Sequence, residues 1–216
     1  MWEEVWTEER RERKVREKCI FGVFFVPVFV RAEKFREYII KRGGNRMRQK
    51  RISDYGYRIG HHENGPRNKI TDVPGVRVGH ATVESGHQHT GVTVIVPGEG
   101  NPFLKKYLAS AYVHNGFGKT CGLVQVQERG TLETPIALTN TLNVGKVADA
   151  MISWMIQQTK KEGEDVFSIN PVVGECNDSR INEIGNRVVR EKELYQALEQ
   201  ADTDFAEGDI GAGTGT

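Results

Sequence analysis

The stretch from Val144 to Lys161 constrains this chain more than any other, because it reads as a long helix with a single apolar stripe. Val147, Met151, Met155 and Gln158 recur at helical spacing, and Val144, Ala148 and Ile152 widen the stripe. Asn143 stands at the N-cap position. Lys160 and Lys161 complement the C-terminal end of the helix dipole, and Gly163 ends the element. Such a helix must lay its stripe on another layer. The surrounding sequence supplies strands for that layer: Val76 to Val83 (VRVGHATV), Gly91 to Val96 (GVTVIV) and Cys121 to Gln127 (CGLVQVQ) alternate with period two. Ile136 to Thr139 reads as a fourth strand and Pro171 to Val173 as a short fifth. Pro74-Gly75 and Pro97-Gly98 mark turns. Glu191 to Ala201 is expected to be a second helix with Leu194, Ala197, Leu198 and Ala201 turned inward. The expected class is α/β.

Residues 1–46 have a different texture. A run of mixed charge precedes the apolar segment IFGVFFVPVFV (Ile20 to Val30), which falls short of the roughly 20 residues a spanning helix needs and contains Pro27. The expected organisation is a poorly ordered or artefactual extension over 1–46 and a domain over 47–216, with Met47 as an alternative start. A net charge of +1 provides no field favouring nucleic acid or a membrane surface. The three cysteines, Cys19, Cys121 and Cys176, form no C-x-x-C pair, and an odd count without a clear secretory signal points to reduced thiols and a cytoplasmic setting. Cys121 and Cys176 read as packed small hydrophobes rather than nucleophiles.

Four stretches gather Asn, Thr and Gly where strands end: NKITDVPGVRVGH from Asn68, NGFGKTCGLVQVQ from Asn115, TPIALTNTLNVG from Thr134 and PVVGECNDSRINE from Pro171. Strand ends and the loops beyond them are where sites are commonly built. Asn177-Asp178 reads on its own as an Asx-turn, and Thr139-Asn140-Thr141 as caps for the following helix. Glu84 to Thr90, which holds His87 and His89, reads as a loop between strands, and no H-E-x-x-H or carboxylate-bearing metal motif is present. The terminal GAGTGT could cradle a phosphate only between a strand and a helix.

In this order and spacing the four stretches, closed by GAGTGT, resemble the DmpA-like family of L-aminopeptidase/D-esterases and β-peptidyl aminopeptidases. The resemblance runs from about Arg58 to Thr216. It implies a four-layer α/β/β/α sandwich, incomplete here without the strands of a C-terminal portion, and therefore an exposed strand edge and apolar surface. It implies a precursor that cuts itself before a serine, whose hydroxyl then attacks while the new α-amine accepts its proton. That serine would lie beyond Thr216, so residues 1–216 alone are expected to be inactive. The resemblance places an oxyanion-hole asparagine among residues 175–183, with Asn182 and Asn177 as candidates. Phe117 stands where the family has a tyrosine and is a candidate substrate contact, as are Glu128 and Glu133, one of which could hold the substrate ammonium. No cofactor or metal is implied. The implied partners are the C-terminal (β-subunit) portion, a peptide or amino acid amide or ester substrate, and further copies of the complete enzyme in a homo-oligomer. The rival reading is an inactive split-gene or truncated product acting only as a scaffold or binding fragment.

Overall fold

The structure, a computed structural model, describes residues 50–114 and 118–216. Phe117 and the expected extension over 1–46 lie outside these residues. One compact unit is formed by Gln49–Ala111 and Gly118–Thr216. Its centre is a four-stranded sheet in the order β1-β2-β5-β6, built from β1 (Arg77–Ser85), β2 (Gln88–Val96), β5 (Ile136–Thr139) and β6 (Val172–Glu175). The first three strands pair antiparallel, while β5 and β6 run parallel. A parallel pair needs a long crossover. Here it is α2 (Val144–Lys161), the helix the sequence marks most clearly.

Alternation along the strands decides which face α2 covers. Val92 and Val94 on β2, Ala137 on β5 and Val173 on β6 point to one side and join Val147, Met151 and Met155 of α2 in the core. α3 (Glu191–Glu199) adds Leu194, Ala197 and Leu198 to the same cluster. The expected stripe is thus the buried one, with Thr159 replacing the half-buried Gln158 at its end. Both methionines are fully buried, so truncating either to alanine costs about 2–5 kcal/mol. The fully buried Asn143 is not a side-chain cap for α2. Asn140 caps instead, its Oδ1 accepting from the Asn143 N–H at 3.1 Å across the short turn Thr141–Asn143 that leads into the helix.

The expected strand Cys121 to Gln127 is a helix, and this corrects the sequence reading. Cys121 makes a single antiparallel bridge to Val173 on the outer side of β6. Gly122 then adopts φ +84, a conformation that turns the chain out of the sheet and that a β-carbon would disfavour. The chain continues as α1 (Leu123–Arg129), which Gly130 ends in the left-handed conformation. Val-Gln-Val-Gln alternates, but a helix places only Val126 inward and leaves Val124 exposed. Val126 packs with Val172 and with Leu132 of a two-stranded sheet, β3 (Tyr107–Leu108) with β4 (Thr131–Leu132). A second correction concerns Glu84 to Thr90: β1 and β2 register through Ser85 and Gln88, so only Gly86 and His87 form the turn.

The opposite face of β1 and β2 is polar and carries the segment 205–214. Thr82 Oγ1 accepts from the Gly211 N–H at 2.8 Å, and Thr93 Oγ1 from the Ala212 N–H at 3.0 Å. The N–H groups of Gly213 and Thr214 bond to the Ile210 and Gly211 carbonyls. These four donors are taken up within the fold, so GAGTGT offers no row of amides to a phosphate. His80 lies beneath the same segment, with Nδ1 2.8 Å from Thr93 Oγ1 and Nε2 3.1 Å from the Ala206 carbonyl oxygen. A carbonyl can only accept, so Nε2 carries the proton. Burial depresses the His80 pKa below its usual 6.5. The folded state therefore binds fewer protons than the unfolded state below that pH. Stability from this group is complete above about 6.5 and falls as pH drops through the depressed value. The expected result is a flatter acid limb for His80→Gln in denaturant midpoints measured from pH 5 to pH 8. Parallel limbs for the two proteins would remove His80 from the account.

Candidate functional site

The two ends of the sheet differ in chemistry. At the first end lie the β1–β2 turn, the start of β2 and the carboxyl ends of β5 and β6, because β2 runs against β5 and β5 runs with β6. A buried polar network sits there. Thr90, Asn140, Asp178 and Asn182 are all nearly inaccessible. Asn140 is fully engaged: Oδ1 accepts from the Asn143 N–H, and Nδ2 reaches Thr90 Oγ1 at 2.8 Å. The Asn143 amide satisfies its neighbours with its nitrogen toward the carbonyls of Arg187 and Val189 (3.3 and 3.1 Å) and its oxygen toward Asn140 Nδ2 at 2.9 Å.

Asn182 is held differently. Residues 178–182 form one helical turn, closed by the Asn182 N–H on the Asp178 carbonyl at 3.0 Å, which stacks the two side chains. Nδ2 donates to Asp178 Oδ1 at 2.9 Å, and Oδ1 accepts from the His89 N–H at 3.2 Å. One Nδ2 hydrogen therefore has no partner among the described residues. Asn177 is exposed, and its Oδ1 accepts from the Ser179 N–H at 3.1 Å, an Asx-turn.

Burial pushes the Asp178 carboxyl above the usual carboxylate range, opposed by hydrogen bonds from Thr90, Asn182 and Asn140. Burial, reinforced by Asp178 and Glu175, also raises the Cys176 thiol, and burial raises that of Cys121. Each shift disfavours the thiolate, the nucleophilic form. Among the described residues, three buried side-chain atoms lack a hydrogen-bond partner: Gln88 Oε1, Thr141 Oγ1 and Thr214 Oγ1. Gln88 begins β2 and Thr141 follows β5. Thr214 adjoins Gly215, where an added Cβ would meet the His89 carbonyl oxygen and the Asp178 side chain. Buried polar groups are normally paired, so such a concentration at one end marks the region where a polar ligand would be received. Lys119 joins this end as well, its N–H donating to Glu175 Oε2 at 3.1 Å.

At the opposite end, before β5 and β6, a cavity of about 750 Å³ is lined by Phe103, Lys106, Gln125, Glu128, Glu133 and Phe167, among others. Glu133 is buried, with Oε1 accepting from the Asn170 N–H at 2.7 Å and Oε2 3.7 Å from Lys106 Nζ. It clamps the start of β6 to the start of β5. Glu128 is exposed at the end of α1. The structure therefore brings Asn182 and Asp178 together and sets Glu128 and Glu133 apart from them by the length of β5 and β6, about 13 Å at about 3.3 Å per residue. Glu128 and Glu133 thus lie at the end of the sheet away from Asn182. Sequence reasoning treated Asp178 only as part of a turn. Thr90 and Asp178 lie 88 positions apart, and the antiparallel β2–β5 and parallel β5–β6 pairings together bring them close.

No helix of the described residues is long and apolar enough to cross a membrane. Residues 68–216 match the model of peptidase family S58. Two curated relatives are beta-peptidyl aminopeptidases BapA. The Sphingosinicella xenopeptidilytica protein is 40% identical over 162 residues, covering 70% of this chain and 40% of its own length. That of Sphingosinicella microcystinivorans is 34% identical over 161 residues, covering 70% and 39%. The chain thus spans about two fifths of these relatives. Among solved structures, a Pyrococcus horikoshii OT3 protein superposes with TM-score 0.72 at 44% identity, covering 76% of this chain and 49% of that one. A Burkholderia sp. beta-aminopeptidase follows with TM-score 0.69 at 42% identity, covering 77% and 48%. The L-aminopeptidase D-Ala-esterase/amidase of Ochrobactrum anthropi, described as a variant of the Ntn hydrolase fold, has TM-score 0.68 at 29% identity, covering 77% and 48%. With this match over most of its length, the chain belongs to peptidase family S58, the DmpA-like L-aminopeptidase/D-esterases.

Proposed function

We propose that this chain is the scaffold-bearing N-terminal portion of a self-processing serine aminopeptidase that releases N-terminal residues from peptides, amides or esters. The observation that carries the reading is the Asn182 amide, fixed at its oxygen and at one hydrogen and left with one N–H at the polar end of the sheet. A neutral, preorganised donor of this kind suits the oxyanion of a tetrahedral intermediate. Asn177 is set aside in this reading, since its side chain is exposed and its amide nitrogen is not anchored. The serine and its α-amine base would come from the C-terminal portion, as the family resemblance implies. An α-amine with a pKa near 7.7–8.0 is a workable base at neutral pH. That portion would supply strands to both sheets and complete the four-layer α/β/β/α sandwich, which assembles into a homo-oligomer in the cytoplasm.

Two surface features support a missing partner. Each outer edge of the four-stranded sheet carries one isolated bridge, Val78 to Asp202 and Cys121 to Val173. Leu108, Val124 and Phe167 are exposed apolar side chains. Residues 1–216 expressed alone are expected to be poorly soluble and to be rescued by co-expression with the C-terminal portion. A soluble monomer that unfolds cooperatively would count against this.

The deciding experiment is expression of the complete coding sequence, followed by intact mass and by assay with amino acid p-nitroanilides and a β-peptide amide. Two chains and turnover are expected, with none from pure residues 1–216. A complete product that stays a single chain and hydrolyses none of these substrates would overturn the proposal.

A further inference from the structure

The cavity of about 750 Å³ at the start of β5 and β6 carries charges of both signs on its wall. Its volume falls within the roughly 300–1,000 Å³ of small-molecule sites. The loop before β3 contributes Phe103 and Lys106. α1 contributes Gln125 and Arg129, four positions apart on one face, and the loop before β6 contributes Phe167 and Asn170. Glu133 joins them from the link between β4 and β5. It is only 5% exposed, and its carboxylate is half satisfied. Oε1 accepts from the Asn170 N–H at 2.7 Å and from Asn170 Nδ2 at 3.2 Å. Oε2 has Lys106 Nζ at 3.7 Å, an ion pair too long for a hydrogen bond. A buried carboxylate oxygen without a donor is costly, so the cavity favours a ligand that brings a cationic donor to it.

We propose that this cavity binds a free amino acid with an apolar side chain. The ammonium donates to Glu133 Oε2, the carboxylate sits on Arg129, and the side chain lies against Phe103 and Phe167. The two cations of the wall are not equivalent. Lys106 Nζ already donates to the Phe103 carbonyl at 2.8 Å and lies over the Phe103 ring. Arg129, at the end of α1, is exposed and engages no carboxylate among the described residues. Its planar fork of donors matches a carboxylate. Other ligand classes fit the wall less well. No group of three His, Cys, Asp or Glu side chains that could hold a metal ion occurs among the described residues. A phosphate-rich ligand would meet Glu128 and Glu133, and a wholly apolar one would leave Glu133 Oε2 without a donor. A zwitterion satisfies both signs at once.

The test is isothermal titration of the complete protein with L-phenylalanine, hydrocinnamate and phenethylamine. The three share a ring, but hydrocinnamate lacks the ammonium and phenethylamine the carboxylate. L-Phenylalanine is expected to bind, and each single-charge analogue to bind at least about tenfold more weakly, the loss of one hydrogen-bonded charge contact. Two variants locate the ligand. Glu133→Gln and Arg129→Met are each expected to weaken L-phenylalanine by about tenfold, whereas Arg129→Met leaves the affinity for phenethylamine unchanged. Glu133 also clamps Asn170, so Glu133→Gln can disturb the fold, but Arg129 is exposed and its variant reads the site independently. Three results would overturn the site: no binding of L-phenylalanine, analogues that bind as tightly as L-phenylalanine, or an affinity for L-phenylalanine that Arg129→Met leaves unchanged. The proposal goes beyond the aminopeptidase reading and needs no turnover. A protein that binds L-phenylalanine here but hydrolyses no amide or ester sinks that reading alone, and an active enzyme whose amino acid binding ignores Arg129→Met sinks this site alone.

Discussion

In the complete enzyme, Asn182→Ala is expected to lower kcat by about 10²–10³ and to leave KM nearly unchanged, equivalent to about 2.7–4 kcal/mol of transition-state stabilisation. The magnitude follows from geometry. The side chain is buried, its oxygen and one amide hydrogen are taken up, and its remaining hydrogen has a single direction. Such a donor needs little reorganisation when charge develops on the substrate oxygen, so its contribution falls in the transition state rather than in the ground state. Asn177→Ala serves as the comparison. It removes an exposed Asx-turn and is expected to change kcat by no more than a few-fold. The reverse pattern, a large loss at Asn177 and a small one at Asn182, would move the oxyanion assignment across the turn.

The contrast between these asparagines shows what the sequence could reveal. Both were candidates because the family resemblance narrows the asparagine to residues 175–183. Their difference was not legible, because it depends on His89, which lies 93 positions before Asn182 and meets it only through the sheet register. α2 was legible for the opposite reason. Its stripe repeats locally over five turns, and nothing outside the segment changes which residues face inward. α1 was misread because Leu123–Arg129 is short and alternates by chance. The feature that decides it is Gly122, whose φ of +84 turns the chain after one bridge. Glu128 and Glu133 stood out as carboxylates bordering the expected strand from Cys121; that they lie at the end of the sheet away from the asparagines depends on the parallel pairing of β5 with β6, which the local sequence does not spell.

Gly79→Ala tests the fold itself and is expected to be severe. β1 lies so close to α3 that an added Cβ at residue 79 would sit 1.9 Å from the Ala197 carbonyl oxygen and 2.8 Å from the Ala201 nitrogen. Both are backbone atoms, so no side-chain rotation relieves the contact. Either α3 must lift from the sheet or β1 must shift against β2, and each opens the cluster that holds Leu194, Ala197 and Val94. The expected cost is about 3 kcal/mol, the upper end of the usual overpacking range, because the neighbour is backbone. At about 2–4 °C per kcal/mol for a domain of this size, Tm should fall by roughly 10 °C. Gly145→Ala is the matched control. It lies in the first turn of α2 with nothing within 4 Å of its added Cβ and with no positive φ. Removing glycine's extra backbone freedom there should leave Tm unchanged or raise it by the equivalent of up to about 1 kcal/mol. Thermal unfolding of the two variants side by side separates close packing from a general intolerance of substitution. Equal Tm values would mean that α3 is free to move away from β1, and the strand would then no longer fix the face on which the polar end of the sheet is built.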